Sequence, residues 1–412
     1  MTESDEPGPT AQRAERLFLQ SGFVWQLCWS SFWTLFFLRV VVDVGLDPLQ
    51  LLLLGTAKEI TILTVEIPTG VVADIRGRRL SVILAFAICG TAIAGAGLAP
   101  GFISLVATQV LWAFGSTFRS GAEAAWLTDE VRSLERVDVI LPRRGRTEAV
   151  GSIVGLIALS LLAAATGLSA ALVVVGSILV VWACFLTLRM PETGFRRQAA
   201  SGRRRFRALL SDGVRASRRP GLRVLVIAAV LAGFASEAVD RLHVARLDEI
   251  GLQTIAVDPA LLVGAAAVLT SVGAFLLLGV LAPLLRGPGL VPALTALHLA
   301  TAAGVALLAR VDLLTVAVAG FIAQGTMRSI ARTVTIGWTN HFTEAANRAT
   351  VHSFVGQAGS LGEISGGIVL GVLAQRVGIV AALTASAAVY LVAATTAGLG
   401  RRRWAATAVA LS

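Results

Sequence analysis

The sequence predicts an all-α membrane protein with twelve transmembrane helices in two pseudo-symmetric six-helix bundles. Of the 412 residues, 56% are hydrophobic and 15% are charged, whereas soluble domains have about a quarter of their residues charged. The apolar runs are long and do not alternate with polar residues, which favours helices over a β-barrel. Basic residues collect in the gaps between these runs, as the positive-inside bias of membrane proteins requires.

The predicted spans are cut at charges and turn residues, and each has about 20 residues, the length that crosses a ~30 Å apolar core. The uncharged stretch from Gly151 to Leu188 is too long for one crossing, so we expect a turn near Gly167. A second turn is predicted at Pro100 and Gly101. The spans are 21–42, 50–73, 80–98, 102–125, 147–166, 169–188, 222–241, 259–284, 290–309, 312–334, 351–373 and 378–399.

The arginine distribution predicts that both termini are cytoplasmic in a multi-pass protein of the cell (plasma) membrane. All but one of the basic residues are arginine, which suggests a GC-rich bacterial genome. The Arg-rich linker is expected to lie on anionic lipid headgroups and not to bind nucleic acid. The predicted organisation is a tail at 1–20, an N-terminal bundle at 21–188, a linker at 189–221, a C-terminal bundle at 222–400 and a tail at 401–412.

The two predicted bundles share short sequence echoes. Span five begins with Arg146 followed by Ser152-Ile-Val-Gly155, and span eleven begins with Arg348 followed by Ser353-Phe-Val-Gly356. Matches at corresponding places in two halves are typical of the internal duplication from which transporters are built.

The densest charge cluster lies between spans two and three, in the pattern Gly70-x-x-x-Asp74-x-Arg76-Gly77-Arg78-Arg79. Together with six plus six spans and a basic central linker, this pattern resembles the loop motif of the major facilitator superfamily. Residues 120–129, 190–195 and 348–351 are also similar to bacterial efflux-type members. The resemblance covers essentially the whole chain. It implies a secondary active transporter that exports small molecules or drugs by alternating access, as an antiporter driven by protons.

The resemblance also implies a latch that closes the cytoplasmic side. In it, Asp74 would accept hydrogen bonds from the first residues of span eleven, around Arg348, because a helix N-terminus favours an anion. Arg78 or Arg79 would pair with Asp129. The predicted latch residues are Gly70, Asp74, Arg76, Gly77, Arg78, Arg79 and Asp129.

The chain departs from the family pattern at three places. Ile75 stands where the family has a base, Gln109 stands where span four has an arginine, and the proline of proton antiporters is missing from span five. A nutrient importer that symports protons is therefore an alternative, as is a membrane sensor derived from a transporter.

An enzyme is not predicted, because the sequence has no Ser/His/Asp arrangement and no Gly-rich phosphate loop. No cofactor and no metal site are predicted, since the histidines lack ligand spacing and the cysteines lie in separate apolar runs. The expected partners are a small-molecule substrate, protons and the lipid bilayer, and the chain is expected to be a monomer. The histidines are His243, His298, His341 and His352, and the cysteines are Cys28, Cys89 and Cys184.

Acidic residues inside apolar spans are costly and are candidates for proton coupling. Glu59 and Glu66 are seven residues apart, which puts them on one helix face. Glu59 either exchanges a proton or forms a fixed ion pair, for instance with Lys58. Glu363, in a Gly-rich span, is either a coupling site or a group bonded to a hydroxyl. The proton-coupling candidates are Glu59, Glu66 and Glu363.

Two further charge pairs have the helical spacing of four residues. Arg119 and Glu123 are expected to pair near the membrane edge. Glu237 and Arg241, with Asp240 adjacent, are expected near the outer end of span seven as gate or interface charges. Arg328 is expected near the inner face.

Three tryptophans, Trp25, Trp29 and Trp33, recur at every fourth residue of span one and so share a face. That face either lines a cavity, where the rings would stack on flat apolar or cationic substrates, or it faces lipid, with Trp25 in the interfacial belt. The substrate-cavity candidates are Trp29, Trp33, Gln109, Trp112, Gln324 and Gln357.

Overall fold

The computed structural model describes residues 8–195, 220–285, 287–341, 343 and 348–408. In these ranges the chain forms twelve long α-helices and one short one, α5, with 3-10 turns at Leu252–Thr254 and Gly287–Gly289. The helices are α1 Pro9–Val42, α2 Pro48–Arg76, α3 Arg78–Leu98, α4 Phe102–Arg119, α5 Ala122–Val131, α6 Leu134–Thr166, α7 Leu168–Arg189, α8 Pro220–Glu249, α9 Pro259–Leu281, α10 Leu290–Arg310, α11 Leu314–His341, α12 Arg348–Val377 and α13 Ile379–Ala408.

Ten of the described helices are long and apolar enough to cross a membrane. The two other long helices are α2, which contains Lys58, Glu59 and Glu66, and α4, which has only 18 residues. The predicted turns are confirmed: α3 ends at Leu98 before Pro100, and α6 ends at Thr166 before Gly167. Gly167 has a φ of 90°, a backbone conformation that glycine adopts at little cost.

Several helices extend beyond the predicted spans. α1 begins at Pro9, not near residue 21, and α6 begins at Leu134, well before the predicted 147. α8 continues to Glu249 and α11 continues to His341. The predictions ended spans at charged residues, but the helices continue through these charges because ion pairs and water at their ends can accommodate them.

The fourth predicted span, 102–125, is wrong in its second part. α4 ends at Arg119, and the short α5 begins at Ala122. Between them Gly121 has a φ of 72°, which breaks the helix. Arg119 and Glu123 therefore lie on two helices and not on one helix face.

The described helices form two compact units. The first unit comprises Met1–Arg39, Thr61–Arg204 and Pro259–Val268, and the second comprises Val40–Ile60, Arg205–Asp258 and Leu269–Ser412. The linker that was predicted to divide the chain lies outside the described residues over 196–219, so the predicted boundary stays a prediction.

Close helix contacts in the first unit depend on glycine. A Cβ on Gly90 of α3 would lie 2.6 Å from the carbonyl oxygen of Gly176 in α7. Gly151 and Gly155 of α6 lie in the same way against the backbone of Phe23 and Leu27 in α1. Small residues let helix backbones approach closely, which compensates for the absence of a hydrophobic driving force between helices in lipid.

The second unit is assembled in the same way around α8. Gly362 and Gly366 of α12 lie against the backbone carbonyls of Val230 and Phe234 in α8. An apolar cluster of α8, α10 and α11, which includes the fully buried Trp338, packs beside this contact. α13 packs on α8 and α10, so four long helices surround α8.

Replacement of Gly155 by valine should destabilise the chain, because the new side chain meets the backbone of α1, which cannot move aside. Overpacking of this kind costs about 1–3 kcal/mol. We expect a lower melting temperature and less monodisperse protein after purification in detergent. Gly145 lies on the same helix and has open space around its Cβ position, so Gly145→Val is the control. Equal losses in the two variants would contradict the contact described.

Candidate functional site

A buried cluster of charges lies in the second unit, where the first part of α2 meets α8 and α12. Glu59 is 4% exposed, and its Oε1 lies 2.6 Å from Lys58 Nζ. The Glu59 side chain also lies close to Glu363 and Ser360 of α12. The tertiary structure thus brings together two of the three predicted proton-coupling residues.

The contact between Glu59 and Glu363 has a chemical consequence. A carboxylate has only acceptor oxygens, so a hydrogen bond between two carboxyl groups requires one proton between them. Glu59 forms an ion pair with Lys58 and also faces a second acid, and proton exchange at Glu59 stays a prediction. Glu66, the third candidate, lies apart from this pair and accepts a hydrogen bond from Ser120 Oγ at 3.4 Å.

Two further ion pairs lie beside the carboxyl pair. Arg241 Nε lies 2.8 Å from Glu237 Oε1, and both side chains are buried. Asp240 accepts two hydrogen bonds from Arg328, at 2.6 and 2.8 Å. Such a bidentate pair fixes the geometry of both partners.

These pairs correct the predicted depths of Asp240 and Arg328. The prediction placed Asp240 near the outer end of its helix and Arg328 near the inner face, yet the two side chains are in contact. α8 and α11 are both longer than predicted, so each residue lies well inside its helix.

The second unit contains a cavity of about 340 Å³ between α8, α10, α11, α12 and α13. Glu363 and Arg328 line it, so the carboxyl pair borders an open space. Gln324 and Gln357 do not line it, which differs from the prediction. Gln324 is buried and its Oε1 lies 3.4 Å from Arg328 Nη1, whereas Gln357 is half-buried on α12.

The first unit contains the predicted tryptophan face. Ring centroids are 6.1 Å apart for Trp25 and Trp29, and 5.0 Å apart for Trp29 and Trp112. Trp25, Trp29 and Trp112 line a cavity of about 580 Å³, and the substrate role of these rings stays a prediction. Trp33 packs on Trp112 at 5.2 Å but does not line this cavity.

Gln109, which replaces the arginine of the family pattern, is also absent from the cavity wall. It is 1% exposed, and its Nε2 has no hydrogen-bond partner among the described residues.

A network of four charges forms one end of the cavity in the first unit. Glu123 pairs with Arg119 at 2.8 Å and with Arg144 at 2.9 Å. Arg144 also contacts Glu148 at 2.8 Å, and the Arg119 guanidinium lies 4.3 Å from the Trp25 ring. The pairing of Arg119 with Glu123 was predicted. Arg144 was missed, because it was assigned to a loop, although its spacing of four from Glu148 was a signal in the sequence.

The predicted latch residues Arg78 and Asp129 form an ion pair in the first unit. Arg78 Nη1 lies 2.5 Å from Asp129 Oδ2 and donates to the Ala125 carbonyl at 2.6 Å. Arg79 does not pair with Asp129. Its backbone N–H donates to Glu192 at 2.9 Å, and its guanidinium donates to the Thr187 carbonyl.

Gly77 is required at the start of α3, because its φ is 117° and the Glu192 carboxylate occupies the place of a Cβ. Arg76 is exposed at the end of α2, and Gly70 has open space around its Cβ position. The role of Asp74 and its contact with the start of α12 stay predictions.

The carboxylate of Glu130 in α5 is hydrogen-bonded to the segment that follows α7. Its carboxylate accepts hydrogen bonds from the Thr193 and Gly194 backbone N–H groups at 2.6 and 2.7 Å, and from the Thr193 hydroxyl at 2.7 Å. Trp126 Nε1 donates to the Pro191 carbonyl at 2.7 Å. Residues 190–195 were noted as family-like, but the sequence did not indicate which acid they bind.

Replacement of Glu130 by alanine should release residues 190–195 from α5. Each buried polar group left without a partner costs about 1–3 kcal/mol. We expect faster proteolysis after α7 and a lower melting temperature. The exposed Glu135 has no ion pair among the described residues, so Glu135→Ala is the matched control. Unchanged proteolysis in Glu130→Ala would show that this carboxylate does not hold the segment.

No family model matches the chain, and no curated protein matches it either. Several solved structures do. The nucleoside transporter NupG is 16% identical, with a TM-score of 0.74, covering 95% of this chain and 99% of its own. A bacterial homologue of the human lysosomal transporter Spinster is 15% identical, with a TM-score of 0.74, covering 96% of this chain and 98% of its own. The peptide transporter POT is 10% identical, with a TM-score of 0.74, covering 98% of this chain and 96% of its own.

Identities this low report on the architecture and not on the substrate. The agreement extends over nearly the full length of each chain, and it confirms the predicted resemblance at the level of the fold. The chain is an all-α, multi-pass membrane protein with the major facilitator fold.

Proposed function

We propose that this chain is a secondary active transporter of small molecules, and that the proton which drives it binds between Glu59 and Glu363. The close approach of Glu59, which is buried, to Glu363, which is half-buried and lines the cavity of the second unit, carries the proposal. Acids at this position in an apolar bundle are costly, and proton relays are a common reason to retain them. In transporters of this kind two bundles rock against each other, so that the substrate site opens in turn to each side of the membrane.

The proton would act on the contact between α2 and α12. When it is bound, the two acids share it and the helices stay together. When it leaves, two negative charges face each other, and like charges at this distance repel. Lys58 carries a single positive charge, so it cannot offset both carboxylates by itself. Loss of the proton would therefore favour a conformation in which α2 and α12 are further apart.

The direction that we propose is export, on the basis of the loop motif and of residues 120–129 and 190–195. Import by proton symport is the alternative, since the same contacts would serve it. A sensor would bind ligand without moving it. None of these three functions requires a cofactor.

Replacement of Glu363 by glutamine should remove the shared proton. Infrared spectra of the purified protein should then lose a band of a protonated carboxyl group, and Glu59→Gln should give the same loss. Glu249→Gln, an exposed acid at the end of α8, should leave the band in place. A band that persists in the double variant would refute the proton site.

Transport is tested with a compound that is first identified from a growth-inhibition panel. The panel is run in a host that lacks its own exporters. An exporter should accumulate this compound in inside-out vesicles under an inside-acid gradient, and an importer should not. The double variant of Glu59 and Glu363 should lose gradient-driven accumulation at least about tenfold, the usual scale for loss of a proton-transfer group. Gradient-driven transport that persists in the double variant would be inconsistent with both assignments.

We also propose that Arg78, Asp129 and Asp74 form a conformational latch. The ion pair of Arg78 with Asp129 joins the start of α3 to α5, and Glu192 holds Gly77 and Arg79 beside it. These contacts give the loop a rigid base from which Asp74 would reach its partner.

The latch predicts that Asp74→Asn shifts the chain towards a state open on the cytoplasmic side. Loss of one charge-assisted contact is worth about 1.5–3 kcal/mol, enough to change the ratio of two states tenfold or more. Cysteines introduced near the loop should then be labelled faster by a membrane-impermeant thiol reagent in inside-out vesicles. Asp138→Asn, the same change at an exposed position of α6 outside the latch, is the control. Equal labelling of Asp74→Asn and the unmodified chain would exclude the latch.

A further inference from the structure

The cavity of the second unit has a chemistry that the proton site does not explain. Its polar wall consists mainly of hydrogen-bond donors, and its remaining wall is apolar, with Ala229, Ala331 and Val355. A volume of about 340 Å³ lies within the range of small-molecule sites, about 300–1,000 Å³.

The charge of this wall is positive. Arg328 and Arg332 of α11 both line the cavity, but Arg328 is neutralised by its bidentate pair with Asp240. Glu363 is the only acid of the wall among the described residues, and it shares a proton with Glu59 in the arrangement proposed above. Arg332 therefore contributes the charge that remains.

Arg332 forms no ion pair and no side-chain hydrogen bond among the described residues, and its side chain is exposed. The charge of Arg332 interacts electrostatically with Asp240 without forming an ion pair, and the Asp240 carboxylate is already paired with Arg328. A guanidinium has five N–H donors in a planar fork, which suits a carboxylate or a phosphate. An arginine that is open to a cavity and has no acid paired with it is available to bind an anion there.

His298 of α10 gives a second, independent indication. It is 5% exposed, it lines the same cavity, and its Nδ1 has no hydrogen-bond partner among the described residues. Buried polar atoms without a partner are rare, and such an atom on a cavity wall points to a ligand. In the tautomer with Nδ1 protonated, this nitrogen is a donor.

We infer that this cavity binds the anionic group of a small organic anion, with Arg332 as the charged partner and His298 as a second donor. The apolar wall would contact the body of the same molecule. The inference rests on the proposed function for the shared proton of Glu363 and for the role of this molecule as the substrate, but the binding itself can be tested without transport.

The test uses the full chain in nanodiscs of uncharged lipid, with benzoate, its uncharged analogue benzamide, and inorganic phosphate as probes. A ligand that binds the folded state and not the unfolded state raises the melting temperature, by more the further its concentration exceeds its Kd. Benzoate and phosphate should raise it, and benzamide should not. Equal shifts with benzoate and benzamide would overturn the inference.

Arg332→Gln should weaken the apparent affinity for benzoate about tenfold or more, because a hydrogen bond to a charged group is lost. His298→Phe should weaken it by a smaller factor, and His298→Asn, which retains a donor, should restore part of the loss. Arg310→Gln, an exposed arginine at the end of α10, is the matched control. Unchanged benzoate binding in Arg332→Gln would also overturn the inference.

The two proposals can fail separately. Anion binding that depends on Arg332, in a chain that moves no compound across a vesicle membrane, would leave the cavity assignment in place and reject the transporter. Proton-driven transport of an uncharged compound, without anion binding, would leave the transporter in place and reject the cavity assignment.

Discussion

In both units, acids of one helix contact groups on a neighbouring helix, and the arrangement of the described helices depends on these contacts. In the second unit Glu59 meets Lys58 and Glu363, and Asp240 meets Arg328. In the first unit Glu123 meets Arg119 and Arg144. An uncompensated charge in an apolar interior costs several kcal/mol, so each pair restricts which helices can be neighbours. The same pairs are candidates for movement, because the loss or gain of one proton changes the balance.

Glycine residues let the helices approach closely enough for these ion pairs and hydrogen bonds to form. At Gly55 of α2 a Cβ would overlap the pair formed by Glu237 and Arg241 of α8, and at Gly367 of α12 it would overlap Thr56 of α2. The helices can therefore approach until short polar contacts form between them. Small residues let the helix backbones approach closely. The long charged side chains need these short backbone distances to form their pairs, so the two kinds of contact support each other.

The two cavities differ in chemistry. That of the first unit is bordered by Trp25, Trp29 and Trp112, with a charge network at one end. That of the second unit is bordered by arginine and histidine donors and by one member of the carboxyl pair. Aromatic faces suit flat apolar groups, and guanidinium donors suit anions. Within the second unit, the affinity for an anion bound beside Glu363 would depend on the protonation state of that residue.

The sequence by itself determined the class of the protein. Long apolar runs exclude a soluble fold, the turns at Pro100 and Gly167 follow from the length of a membrane crossing, and the tryptophan face follows from helical periodicity. It could not determine where helices end, since charged residues that look like boundaries lie inside α6, α8 and α11. Only the tertiary structure decided that Glu59 meets Glu363, that Arg328 is neutralised by Asp240 while Arg332 faces a cavity, and that Glu130 and Glu192 hold residues 190–195 and the start of α3. These contacts join residues up to 304 positions apart, as Glu59 and Glu363 are, and such pairings depend on which helices are neighbours, which local periodicity does not encode.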